Sequence, residues 1–333
     1  MQRHRETVIP QQPQYIPFIK VTPSYICGYY GYQGPKRKAW QANVFRGLGV
    51  HEDSTNSTQQ LQPYSGDITK SAAKKLKSAC EILFALAKLK KVEIRSTRRK
   101  FQFRIALVTL TLCAPQDELT DRQLKKELLE PFLRIFRAKG MMNYIWKAEL
   151  QQNGNLHFHI LTDTFLDKMD VRNVWNRLQA KVGLIEKFHD KHGHRSPNGT
   201  DCKAVRSDKG MVNYMLKYML KGKEKGESEA AEKVADGRST GKIWDCSLNL
   251  KLKNDTAEPV EDWQFELLER KVDSEVFDKK ELETCTIYLP KAGKMWEVAP
   301  EFLAARLIAF LAKVRAKGRE KDIGHSAPAR PRR

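Results

Sequence analysis

The segment Gly154-Asn155-Leu156-His157-Phe158-His159-Ile160-Leu161 sets two histidines either side of one bulky apolar residue. In a β-strand successive side chains alternate faces. His157, His159 and Leu161 then share one face, while Leu156, Phe158 and Ile160 share the other. The apolar set packs into a core, and both imidazoles converge on the opposite side. The preceding run, Asn143-Tyr144-Ile145-Trp146-Lys147-Ala148-Glu149-Leu150, has the aromatic and branched residues of a second strand. Gln151-Gln152-Asn153-Gly154 links the two as a hairpin. The turn decides what faces the histidines, because a one-residue slip moves every side chain to the other face. A two-residue Asn153-Gly154 turn puts Leu150 opposite His157 and points Glu149 away. A three-residue Gln152-Asn153-Gly154 turn, with Gly154 in the left-handed conformation, puts Glu149 across from His157. The second register is preferred here, since it gathers one carboxylate and two imidazoles. A Glu149/His157/His159 set with open positions suits Mg²⁺ or Mn²⁺ bound to a phosphate oxygen. A chance His-x-His with solvent-facing rings is the competing account.

A second pattern lies downstream. Tyr214, Lys217, Tyr218 and Lys221 recur at i, i+3, i+4 and i+7, one stripe of a helix over about 211–222, with Val212, Leu216, Met219 and Leu220 on its apolar side. A tyrosine stripe is more often packing than catalysis. Beside a metal site, however, phenols one turn apart, each with a nearby ammonium, can attack a phosphodiester. The phenol, with its pKa near 10, is a weak nucleophile until charge on the phosphate is withdrawn and the developing anion is stabilised.

The Glu149–His157–His159 spacing, followed by Tyr-x-x-Lys-Tyr-x-x-Lys, resembles the HUH superfamily of rolling-circle replication initiators. It is most similar to the two-tyrosine group that includes the gene A proteins of small single-stranded DNA phages and related phage and plasmid Rep proteins. Leu107-Val108-Thr109-Leu110-Thr111-Leu112 stands where that family has a strand ending in Thr-Leu-Thr. The tyrosines follow the histidine pair, as in Rep proteins, whereas conjugative relaxases carry them before it. The resemblance runs over about residues 105–222. It implies an α+β nicking and joining endonuclease, with a central antiparallel sheet bearing the metal on one face and helices around it. Glu149, His157 and His159 would hold the ion. Tyr214 and Tyr218 would be nucleophiles, with Lys217 and Lys221 stabilising charge. The implied partners are single-stranded DNA at a replication origin and a host helicase and DNA polymerase, in the cytoplasm of a bacterial host. An HUH transposase using the same chemistry, or a non-catalytic DNA-binding protein, are the alternatives.

Composition agrees with a polyanionic partner: 60 Lys and Arg stand against 40 Asp and Glu, a formal net charge of +20. The stretch Arg95-Ser96-Thr97-Arg98-Arg99-Lys100-Phe101-Gln102-Phe103-Arg104 interleaves cations with aromatics, as single-strand binders do, so Arg95, Arg98, Arg99, Lys100 and Arg104 are candidate DNA contacts. A charge-protected strand edge reads equally well. The six cysteines form no Cys-x-x-Cys pair, which argues against a zinc ribbon or disulfide framework. No apolar run reaches membrane-spanning length, and no signal-peptide core opens the chain. Gly237-Arg238-Ser239-Thr240-Gly241-Lys242 falls one residue short of a phosphate-binding loop, so strand separation falls to another helicase.

Punctuation divides the chain. Residues 1–66, rich in Gln, Pro, Tyr and Gly, read as an extended arm, and 67–222 as the endonuclease domain. Within it the spacing predicts a helix over Ile68–Leu89 capped by Asp67, a strand Phe103–Leu112, a helix Leu119–Lys139 kinked or split at Pro131, and a helix near Val171–Val182. The loop 188–201 carries His189, His192 and His194, more readily solvated than metal-binding. Residues 223–238 read as a charged linker and 239–318 as a small α/β region, with strands Leu248–Leu252 and Thr284–Leu289 and a helix Glu301–Lys317. A basic disordered tail, 319–333, ends the chain.

Overall fold

The computed structural model describes residues 14–33, 68–93, 98–116, 119–151, 153–205, 241–252 and 257–323. They form two compact units, each an α+β arrangement built on an antiparallel sheet. The expected arm instead begins with a hairpin: β1 (Gln14–Val21) pairs with β2 (Ile26–Gln33) along its whole length. Ile19, Val21 and Ile26 share one buried face. The prolines and glycines hid that alternation in the sequence, although β-edge positions tolerate both.

The unit holding the histidines starts with α1 (Lys70–Leu86). Its cap is Thr69, whose Oγ1 accepts from the Ala72 amide at 3.2 Å; Asp67 lies outside the described residues. A separate two-stranded ribbon follows, β3 (Lys90–Glu93) and β4 (Lys100–Phe103), and Arg104 interrupts the expected long strand before β5 (Ile105–Thr111). The helix expected over 119–139 is split: α2 (Asp121–Leu124) and α3 (Glu130–Ala138) flank a π-helical turn at Lys125–Leu129. Pro131 has no amide hydrogen to give to the preceding turn, and the wider turn just before it absorbs that loss. Next come β6 (Tyr144–Leu150), β7 (Leu156–Thr162), α4 (Lys168–Lys181), α5 (Leu184–His192), β8 (Thr200–Val205) and β9 (Trp244–Cys246). The strand order is β8-β5-β7-β6-β9, antiparallel throughout.

One face of this sheet is a continuous core. Val108, Leu110, Trp146, Ala148, Leu156, Phe158 and Ile160 meet Leu128, Phe132 and Phe136 from the split helix and Val171, Trp175 and Leu178 from α4. Trp175 is fully buried, edge-on to Phe132 and Phe158, and its indole N–H donates to the Thr111 carbonyl at 2.8 Å. On the other face, burial is confined to one end, at Leu107, Ile145 and Leu161. α1 lies against β6 and against the 3₁₀ turn Leu248–Lys251, where a strand was expected.

The second unit joins the N-terminal hairpin to β10 (Ala257–Pro259), α6 (Asp262–Asp273), β11 (Phe277–Glu281), β12 (Thr286–Pro290) and α7 (Met295–Val298), in the order β10-β1-β2-β12-β11. α6 packs so closely that a Cβ on Gly28 would lie 2.6 Å from the Phe265 ring. The region expected as 239–318 is thus divided. Trp244–Cys246 completes the first sheet, and 257–308 builds the second unit with residues 14–33. The last helix, α8 (Glu301–Ile323), outlasts its expected end at Lys317. No helix among the described residues is long and apolar enough to cross a membrane.

Trp175→Ala removes both an aromatic payload and a hydrogen bond from the first core. It should lower unfolding stability by about 3–5 kcal/mol, read from urea melts at constant m-value. A loss under about 1 kcal/mol would mean the α4–sheet contact is not the core of this unit.

Candidate functional site

Directly paired residues on antiparallel strands project to the same face, so the register builds the site row by row. One row holds Thr111, His157 and Glu149 across β5, β7 and β6. The next holds Asp201, Thr109, His159, Lys147 and Trp244 across all five strands. The hairpin closes as a three-residue turn: the Gln151 amide donates to the Asn155 carbonyl at 2.9 Å, and Gly154 takes φ +78°. That is the register that sets Glu149 across from His157.

The two imidazoles lie edge to face, with ring centroids 4.5 Å apart. Each Nδ1 is turned toward a threonine hydroxyl of β5: Thr111 Oγ1 is 3.0 Å from His157 and Thr109 Oγ1 is 3.3 Å from His159. This leaves each Nε2 on the side away from β5. His159 Nε2 stands 3.4 Å from Glu149 Oε2, and the other carboxylate oxygen accepts from the buried Lys147 ammonium. Burial alone would raise the Glu149 pKa, but hydrogen bonds from His159 and Lys147 and the lysine charge outweigh it and hold the carboxyl down at about 2. Burial, then repulsion from His159, press the His157 pKa down to about 4 against the pull of Glu149. At neutral pH the site therefore presents a carboxylate and an uncharged imidazole at His157, both able to donate lone pairs.

The donor chemistry fits a divalent cation: one carboxylate oxygen, two imidazoles oriented by hydroxyls behind them, and room for further oxygens. Among the described residues, no three His, Cys, Asp or Glu side chains are already gathered around one point. Glu149 is drawn toward Lys147 and His159 instead, and would have to turn from them to meet both Nε2 atoms.

Tyr214, Lys217, Tyr218 and Lys221 lie outside the described residues, as do the expected helix 211–222 and the linker. The flanking strands are described: β8 and β9 are the two edges of the sheet, so the chain leaves it at one edge and re-enters at the other. Of the candidate DNA contacts, Arg95 is also outside. Arg98 and Lys100 are exposed and pair with Glu93 at 3.2 and 3.8 Å, and Arg99 is exposed. Arg104 corrects the expectation. It is 6% exposed and lies 5.2 Å over the Phe84 ring, a junction residue of the body rather than a surface cation. His192 and His194 pack against Phe188 at 4.4 and 5.1 Å. Lys147 was missed from sequence, although its place two residues before Glu149 already put it on the same strand face. The threonines at i and i+2 in β5 carried the signal for hydroxyls behind the histidines.

Residues 105–223 match the model of a family of replication-associated proteins, the ORF2 type. The match starts at the first residue of β5, takes in the histidine hairpin, and extends past the tyrosines. It supports a replication initiator. No curated protein and no solved structure matches the chain.

The His157 shift has a thermodynamic consequence in the metal-free protein. Its folded-state pKa is depressed from 6.5 to about 4, so the unfolded chain binds the proton first. The resulting stability is present above pH 6.5 and is lost as pH falls toward 4, up to roughly 3 kcal/mol. Replacing His157 by Asn should flatten that part of the pH–stability curve. An unchanged slope between pH 6.5 and 4 would contradict the burial argument.

Proposed function

We propose that this chain initiates rolling-circle replication by nicking one DNA strand at an origin and later rejoining the ends. The observation that carries the reading is the row geometry: Glu149, His157 and His159 on one sheet face, within a segment matching a replication-associated family that also contains the tyrosine–lysine stripe. Bound there, Mg²⁺ or Mn²⁺ would draw charge from a scissile phosphate. Thr109 and Thr111 fix the ring orientations, so the histidines need no rearrangement to present Nε2. A tyrosine hydroxyl, Tyr214 or Tyr218, attacks the phosphorus and gives up its proton. The P–O3′ bond breaks, the leaving 3′ oxygen takes up a proton, and the 5′-phosphate stays on the phenol. Lys217 and Lys221 stabilise the phenolate and the pentavalent transition state. One phosphodiester replaces another, so the linkage can be reversed without ATP. The free 3′-OH primes a host polymerase, and a host helicase separates the strands. With two tyrosines, one can hold the displaced 5′ end while the other cleaves the regenerated origin.

The test is incubation of the whole chain with labelled single-stranded origin DNA and Mn²⁺. The wild type should form an adduct that survives boiling in detergent. His157→Ala, His159→Ala and Glu149→Ala should each lose it, while nonspecific DNA affinity stays within about threefold, because phosphate contacts dominate that affinity. Tyr214→Phe and Tyr218→Phe should each retain some adduct, and the double variant none. An adduct on the double variant would remove the tyrosines from the chemistry. DNA binding without any adduct would leave a non-catalytic binder. Adduct formation at the ends of a mobile element, rather than at an origin, would make the chain a transposase.

A further inference from the structure

The ribbon ahead of the sheet has a divided character. β4 runs through Arg104 directly into β5, the strand that carries Thr109 and Thr111. Its register places Lys90, Val92, Phe101 and Phe103 on one face, and Lys91, Glu93, Lys100 and Gln102 on the other. The first face is anchored. Phe103 is fully buried, Phe101 and Phe103 each meet the Phe165 ring at 5.7 Å, and Lys90 Nζ donates to the Asp163 carbonyl at 2.7 Å. The second face and the tip are open. Arg98 and Lys100 are 86% and 80% exposed, Lys91 and Arg99 are also exposed, and Glu93 is the one carboxylate among the described residues of the ribbon.

We propose that the outer face of this ribbon binds the backbone of double-stranded DNA flanking the strand that is nicked. The inference rests on the DNA-binding part of the preceding reading and not on the nicking chemistry. The sequence alone points toward a single-strand binder, because cations alternate with aromatics. The structure turns those aromatics inward and spends them on Phe165, so they offer no platform on which unpaired bases would stack. What faces outward is positive charge on a two-stranded ribbon, a shape the major groove admits. The ribbon is also stiffly tied to the site. Asp163 lies four residues beyond His159, about 13 Å of extended chain, or roughly four base-pair steps along a duplex. It precedes the segment 105–223 that matches the replication-associated family, so nothing in that match assigns it a role.

The test compares a labelled duplex with the same labelled strand alone, by fluorescence anisotropy over a range of salt, using the full chain. The variant replaces Lys91, Arg98, Arg99 and Lys100 by Gln. Expected is at least a roughly tenfold loss of duplex affinity and a salt slope shallower by about 3, since each released phosphate contact carries roughly 0.9. Single-strand affinity should change less than about threefold. Lys100→Glu alone, a lighter change at an exposed position, should show the same selectivity at smaller amplitude if the fourfold variant melts early. Unchanged duplex affinity, or equal loss for both probes, overturns the proposal. Failure of the wild type to nick would overturn the preceding reading while leaving this comparison of affinities decisive.

Discussion

The site depends on the register of one hairpin, and the register depends on how the start of β7 is pinned. Gly154 supplies the left-handed residue that a three-residue turn needs, but a turn alone does not fix which residues the sheet accepts. Asn155, 4% exposed, accepts from the Gln116 amide at 3.1 Å and donates to the Ala114 carbonyl at 3.1 Å. Gln116 returns the link by accepting from the Leu156 amide at 2.7 Å, and donates to Asp121 at 2.8 Å. A slip of one residue would break this buried network and would also expose Leu156, Phe158 and Ile160. The two costs act together, so the chemistry-bearing face is set by groups that take no part in the chemistry.

The histidine face was legible because alternation in a strand is a local property. His157 and His159 flank Phe158, and the apolar residue decides the direction of both neighbours. The partner Glu149 was legible only as one of two registers, and the choice between them needed the turn. Two classes of feature were hidden. Burial against distant segments cannot be read from periodicity, so Arg104 resembled its exposed neighbours until the Phe84 ring was found beneath it. Strands interrupted by Pro and Gly escaped for a similar reason: Tyr15–Tyr32 looks irregular alone and becomes a hairpin when residues 257–290 supply the rest of its sheet. Leu248–Leu252 erred the other way, apolar enough for a strand yet closed as a 3₁₀ turn.

Lys147 shows how the face balances its charge. An ammonium with 5% of its side chain exposed is costly to bury, and a carboxylate beside it is costly to leave unpaired. The two together, with His159 on the other oxygen, keep Glu149 ionised inside a partly dry surface. Removing one member of such a pair usually costs more than the pair contributes, about 3–5 kcal/mol where burial is complete. The carboxylate therefore stays available as an anion across the pH range where His157 is neutral.

Charge also divides the chain into unlike parts. The described second unit, residues 14–33 and 257–308, carries 8 Lys and Arg against 12 Asp and Glu, while the whole chain is at +20. All of the positive excess therefore lies outside that unit, and a polyanion is attracted by the remainder of the chain. The basic clusters at Lys74–Lys77 and Lys88–Lys91 sit on α1 and on the approach to the ribbon, in the same unit as the histidine face. A net-acidic unit weakens nonspecific retention on DNA without touching the site, because long-range attraction follows summed charge whereas nicking follows local geometry. The fold can thus place strong phosphate contacts beside the sheet and still let the protein leave sequences it does not cut.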